Sequence, residues 1–353
     1  MNIDEQIWND KNAYLLLACL IICAFYIYKP TFIEGDSYYF LMVSQGLWES
    51  HEGALTPIFQ AFANCPDYFI KIFLCALMFA GMFFVSKAGE ILFGEEGWLC
   101  GLFLLLNPVF IFESLKFEDE QLFYPLLLFG FFLCVYAIQK NKYWLFAFPA
   151  MIILFAREYW IGWFHGIPWF SEPEYMPLML TVSMLVATIG LLGYYYEKKL
   201  RIYAIPALLA YILCLIIPKI AFFATPFLAI GIFPVYKRLK LKNPENELLY
   251  EERIAQLFLI LAVLIGFAIQ FQPITEQQQE IVKTGVKFAE DCNKTLKNEW
   301  SWGYLVAWNG GTPSNWAGGD IKYDFNNSIA ITQEKIDCEI LAQKEGIKVY
   351  NCP

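Results

Sequence analysis

Charge is scarce in this 353-residue chain: 17% of the residues are Asp, Glu, Lys or Arg, against 58% that are apolar or aromatic. So few polar side chains cannot coat a water-soluble globule, and that class is excluded first. Histidine is scarcer still, with only His51 and His165, so a multi-histidine zinc or haem site lacks its raw material. Neither a G-x-x-x-x-G-K-[ST] loop nor a G-x-G-x-x-G fingerprint occurs, which removes the usual sequence signs of ATP-driven transport and dinucleotide chemistry. Basic residues (25) are outnumbered by acidic ones (34) and form no stripe; nucleic acid, which needs a phosphate-neutralising face, is not an expected partner.

What the chain has in quantity is apolar length. Runs bounded by charge or turn residues lie near 13–29, 69–86, 97–113, 121–138, 143–157, 177–196, 202–217, 220–236 and 254–272. They predict an all-α polytopic membrane protein of about nine transmembrane helices. Several runs are shorter than the ~20 residues of a straight span, so tilted or kinked helices are expected. The stretch 202–236 is twice what one helix needs, and Pro218-Lys219 at its middle reads as a turn between two spans. Run 13–29 is too long, and too poor in small residues before Lys29-Pro30, for a cleaved signal peptide; it reads as a retained helix.

Orientation follows the basic residues of alternating loops. One set holds twelve: Lys11, Lys87, Lys140, Lys142, Lys198, Lys199, Arg201, Lys237, Arg238, Lys240, Lys242 and Arg253. The other, up to residue 272, holds five: Lys29, Lys71, Lys116, Arg157 and Lys219. This places the N-terminus in the cytoplasm and, after nine spans, residues 273–353 outside as a small α+β domain distinct from the transmembrane domain 1–272. Two sequons, Asn293-Lys294-Thr295 and Asn326-Asn327-Ser328, fit that side. Four cysteines fall there, Cys65, Cys292, Cys338 and Cys352, open to three pairings. The preferred one joins Cys338 to Cys352 across a strand-turn-strand at Lys344-Glu345-Gly346.

Charge on the outer side clusters. The first outer connector, about 30–68, opens Lys29-Pro30-Thr31-Phe32-Ile33-Glu34-Gly35-Asp36-Ser37-Tyr38-Tyr39-Phe40; the second reads Glu113-Ser114-Leu115-Lys116-Phe117-Glu118-Asp119-Glu120-Gln121. The third carries Arg157-Glu158, then an aromatic run ending at His165, and Lys219 sits at the next outer turn. Asp36 begins an amphipathic segment, Asp36 to Leu47, where a carboxylate would also cap the helix. Three consecutive acids at 118–120 also suit a solvated loop. Trp300, Trp302, Trp308 and Trp316 read as interfacial anchors or a small core before they read as a sugar platform.

Glu34-Gly35-Asp36-Ser37-Tyr38-Tyr39 resembles the acidic motif after the first span of the GT-C superfamily of membrane glycosyltransferases, and Glu118-Asp119-Glu120 resembles its second acidic motif in the next outer loop. The likeness covers roughly the first 160 residues. It implies transfer of a hexosyl or pentosyl group, with inversion, from a polyprenyl-phosphate donor of the dolichyl-phosphate type to a glycan, lipid or protein acceptor on the outer face. In that chemistry a carboxylate takes the acceptor proton, which assigns Asp36 as general base with Glu34 second. The departing lipid phosphate calls for cations at the interface: Arg157 foremost, with Lys116, Lys219 and His165 in support and Glu158 beside them. Glu118, Asp119 and Glu120 would orient sugar hydroxyls, or Asp119 with Asp36 would hold Mg²⁺ or Mn²⁺ through oxygen ligands. A transporter or lipid translocase is the main rival, but it would carry ionisable residues inside its spans, and the runs above are nearly free of them. A non-catalytic anchor with an outer binding domain is the other.

Overall fold

The computed structural model describes residues 10–32, 36–44, 60–62, 64–117, 119–155, 177–216, 221–270, 276–298, 302–312, 325–333, 335–344 and 346–353. It is mostly helical, with a small C-terminal sheet. Two compact units divide the chain: residues 1–24, 71–115 and 119–266 form the first; residues 25–70, 116–118 and 267–353 form the second.

Among the described residues each of the nine apolar runs falls mainly on helix: α1 (Asp10–Tyr28), α3 (Asp67–Phe93), a broken pair α4 (Leu99–Phe103) and α5 (Pro108–Leu115), α6 (Asp119–Lys140), α7 (Ala147–Phe155), α8 (Pro177–Tyr196), α9 (Arg201–Ile216), α10 (Ala221–Lys242) and α11 (Glu251–Gln270); a short α2 (Asp36–Ser44) follows α1. Among the described residues three helices, Lys11–Tyr28, Asp67–Phe93 and Glu251–Gln270, are singly long and apolar enough to cross a membrane, and the broken pair makes a fourth if it is one span.

The run 97–113, read as one span, is sharply bent: Glu95–Leu106, which is α4 with the short 3-10 turns on either side of it, meets Pro108–Leu115 at 77°. The cause is local. A residue preceding proline is pushed out of the helical region, and Asn107 lies at φ −101°, ψ 107°. Its side chain then accepts from the Val109 amide at 3.0 Å, capping a helix whose first residue is Pro108, a position where the missing N–H costs nothing.

Within the first unit α8 and α10 approach backbone to backbone. A β-carbon on Gly193 would collide with the Gly231 carbonyl oxygen, and one on Gly190 would lie 2.8 Å from that of Leu228. Small residues at this spacing allow close helix packing without side-chain interlocking. The Tyr194 hydroxyl donates to the Phe227 carbonyl across the same contact.

The second unit ends in an α+β segment. Helix α12 (Glu276–Asp291) buries Ile281, Val282, Gly285, Val286 and Ala289, a one-sided stripe at helical period. Four strands follow: β1 (Thr295–Asn298), β2 (Ser328–Thr332), β3 (Glu339–Lys344) and β4 (Ile347–Cys352), with the short α13 (Gly303–Trp308) between β1 and β2. Their order is β1-β2-β4-β3. β1 runs parallel to β2, with Leu296 opposite Ile329, while β4 runs antiparallel to β2 and β3, with Tyr350 opposite Ala330 and Ile340. Every residue of β2 is buried, as befits a strand covered by α12. The β3–β4 turn uses Gly346 at φ 82°, a conformation open to glycine at no steric cost. Cys338 and Cys352 form the expected disulfide; Cys65 and Cys292 are free thiols.

Candidate functional site

The second unit gathers stretches that lie far apart in the chain. Helix α2 opens at Asp36, as the Gly35-Asp36 step suggests. Buried Ser37, in the first turn, accepts at its Oγ a 3.0 Å hydrogen bond from the backbone amide of Phe117. Phe117 belongs to the second connector, so this bond ties the two acidic segments together: Asp36 precedes one partner in sequence and Glu118 follows the other.

Aromatic rings surround the tie. Phe32 contacts Tyr38 and Phe117 at centroid distances of 5.9 and 6.5 Å. Phe62 meets Phe117 edge-on at 5.6 Å. Tyr38 meets Trp308 of α13 at 5.7 Å, which brings the C-terminal segment to the same place. Phe32, Tyr38 and Phe117 are almost fully buried. Such ring clusters each add ~1 kcal/mol beyond the area they bury. Burial pushes the Tyr38 phenol up from its ordinary value; Asp67 adds to the shift, and a backbone hydrogen bond at Phe32 opposes it.

Among the described residues of this unit two cations are buried, Lys29 and Lys116, exposed by only 2% and 7%. Both are partnered, as a buried ammonium must be. Sequence reasoning singled out Lys116 and passed over Lys29. Nothing in the pattern separates a buried lysine after a span from one that snorkels to water, so no signal for it was present. In the first unit Lys71 and Glu113 are likewise buried and partnered. Lys71 falls inside the run 69–86 and Glu113 at the end of 97–113, so each of these two runs carries a buried ionisable residue.

The remaining candidates stand apart from this account. Glu34, Glu118, Arg157, Glu158, His165 and Lys219 lie outside the described residues, as do the side chains of Asp36, Asp119 and Glu120. Helix α6 begins at Asp119, which puts Glu120 one step into it, as expected. Among the described residues no group of three or more His, Cys, Asp or Glu could hold a metal ion, and the pair named for Mg²⁺ or Mn²⁺, Asp36 with Asp119, is not among those side chains. Of the four tryptophans of the C-terminal segment, Trp302 is buried and Trp308 half-buried, as a small core requires, one of the two roles set ahead of a sugar platform; Trp300 and Trp316 lie outside the described residues.

The first unit also holds an apolar cavity of about 400 Å³, walled by Tyr124, Leu128, Phe131, Tyr203, Pro206 and Phe227 from α6, α9 and α10. The Tyr124 hydroxyl is held by Thr225. No protein-family model, no curated protein and no solved structure matches this chain.

Proposed function

We propose that this chain is a multi-pass membrane glycosyltransferase of GT-C type, with about nine spans, a cytoplasmic N-terminus and its C-terminal domain outside. It would move a sugar, with inversion, from a polyprenyl-phosphate donor to a glycan, lipid or protein acceptor. One observation carries the reading: the Ser37–Phe117 hydrogen bond joins the two acidic connectors, and acids from two loops at one place are what a base plus a sugar-orienting group require. The buried Lys29 and Lys116 in the same unit supply positive charge for a phosphate leaving group. The apolar cavity beside Tyr203 suits an isoprenoid chain, and the Cys338–Cys352 disulfide fits an oxidising compartment.

In this mechanism Asp36 accepts the acceptor hydroxyl proton as that oxygen attacks the anomeric carbon, and the lipid phosphate departs toward the cations, Arg157 first among them. Where a divalent cation is used, Asp36 and Asp119 would be its ligands, and it would draw charge from the phosphate. The test is Asp36→Asn, assayed with lipid-linked sugars for released polyprenyl phosphate. Transfer is expected to fall at least about a hundredfold, the contribution of a general base, with donor binding retained; full activity would refute the assignment.

A second reading has one observation in its favour. A span broken by 77° at Asn107 is the kind of discontinuous helix that secondary transporters place at their substrate. Sugar flux across vesicles without release of polyprenyl phosphate would favour it.

A further inference from the structure

A cavity of about 760 Å³ in the first unit, apart from the acidic connectors in sequence, is lined by Lys11, Tyr14, Trp98, Lys240, Glu251 and Glu252. Helix ends build it. Lys11 and Tyr14 share one face of α1, Trp98 comes from the turn before α4, Lys240 from the last turn of α10, and both glutamates from the first turn of α11.

The charges fall into a committed pair and a loose pair. The Trp98 indole donates to Glu251 at 3.0 Å and stacks on Tyr14 at 6.0 Å; Lys240 holds Glu96 at 3.0 Å. Lys11 reaches the Glu95 carboxylate and the Glu95 backbone carbonyl only at 3.4 Å each, and that carboxylate is 94% exposed, so these long contacts are worth little and are easily exchanged. The Glu252 side chain is exposed and, among the described residues, makes neither a hydrogen bond nor an ion pair. One available ammonium and one available carboxylate therefore line a single aromatic-walled cavity. It lies where two span-length helices, Lys11–Tyr28 and Glu251–Gln270, change from charged to apolar sequence.

A ligand matching this wall carries both an anion and a cation. We propose that the cavity binds a zwitterionic phosphodiester, the headgroup chemistry of phosphatidylethanolamine, with its phosphate on Lys11 and its ammonium on Glu252 beside the Tyr14 and Trp98 rings. The two carboxylates of α11 disfavour a purely anionic headgroup by like-charge repulsion, and the rings attract an ammonium. The inference rests on the membrane-spanning reading but not on sugar transfer.

The full chain is reconstituted in nanodiscs of equimolar phosphatidylethanolamine and phosphatidylglycerol, and the lipid it retains is counted by native mass spectrometry. Ethanolamine lipid should be retained several-fold over glycerol lipid. Lys11→Ala and Glu252→Gln should each lower that retention by roughly tenfold, the loss of one charge-assisted hydrogen bond, and Glu252→Lys should reverse the preference. Added glycerophosphoethanolamine separates the sources: retention that it leaves unchanged assigns the bilayer lipid, and displacement by it in the wild type alone assigns the free ester. Equal retention of both lipids, or a preference that all three variants keep, overturns the proposal. Release of the chain from membranes by alkaline carbonate overturns it together with the spanning reading, a result distinct from an embedded chain with no preference.

Discussion

Tyr38 shows what a single side chain contributes to the joined connectors. Its ring is 2% exposed, against Trp308 and Phe32, and burial raises its phenol. A raised acid is neutral in the fold while the unfolded chain ionises near pH ~10, so the stability this phenol contributes is complete below that pH and is lost as pH rises toward its buried value. The melting-temperature difference between wild type and Tyr38→Phe should therefore shrink from pH 9 to pH 11, measured by differential scanning fluorimetry at a series of pH values. A constant difference would place the phenol in water. At this scale Asp36 is legible in sequence, because a carboxylate after glycine at the start of an amphipathic run is a helix-start signal. Lys29 is not, because the same letter serves a snorkelling lysine.

Among the elements, α8 and α10 depend on the absence of side chains. The Gly193 Cα lies so close to the Gly231 carbonyl that a methyl group has no room, and the obstacle is backbone that cannot rotate away. Gly193→Ala should force the helices apart and cost about 1–3 kcal/mol, the usual range for overpacking, read as a lower unfolding midpoint in detergent. An unchanged midpoint would mean the two helices do not touch there. Helix positions are the most legible feature of this chain, since among the described residues every apolar run falls mainly on helix. The bend at Asn107 was also written locally, in an Asn-Pro step that marks a boundary; hydropathy alone runs straight through it.

For the whole molecule, the second unit combines residues 25–70, 116–118 and 267–353, whereas composition alone divides the chain at residue 273. Its sheet is closed by the Cys338–Cys352 disulfide, and Cys352 is 1% exposed among Ala330 and Tyr350. Replacing both cysteines by serine should lower stability by about 2–4 kcal/mol, as expected for a loop of this length. Thermal unfolding of the full chain with and without reductant checks this: reductant should destabilise the wild type and leave the variant unmoved.

Composition and period by themselves determined that this chain is helical, rich in span-like segments, and ended by a small α+β segment, because those features depend on neighbours within a few residues; the Cys338–Cys352 disulfide was the preferred one of three open pairings until the fold decided it. Only the tertiary structure decided that Ser37 meets Phe117, that Lys29 and Lys116 are buried together with the aromatic cluster in one unit, and that Lys11 and Glu252 line one cavity. Each of these pairs residues tens to hundreds of positions apart. Such contacts are selected by the packing of whole helices, which leaves no local mark in the order of the letters.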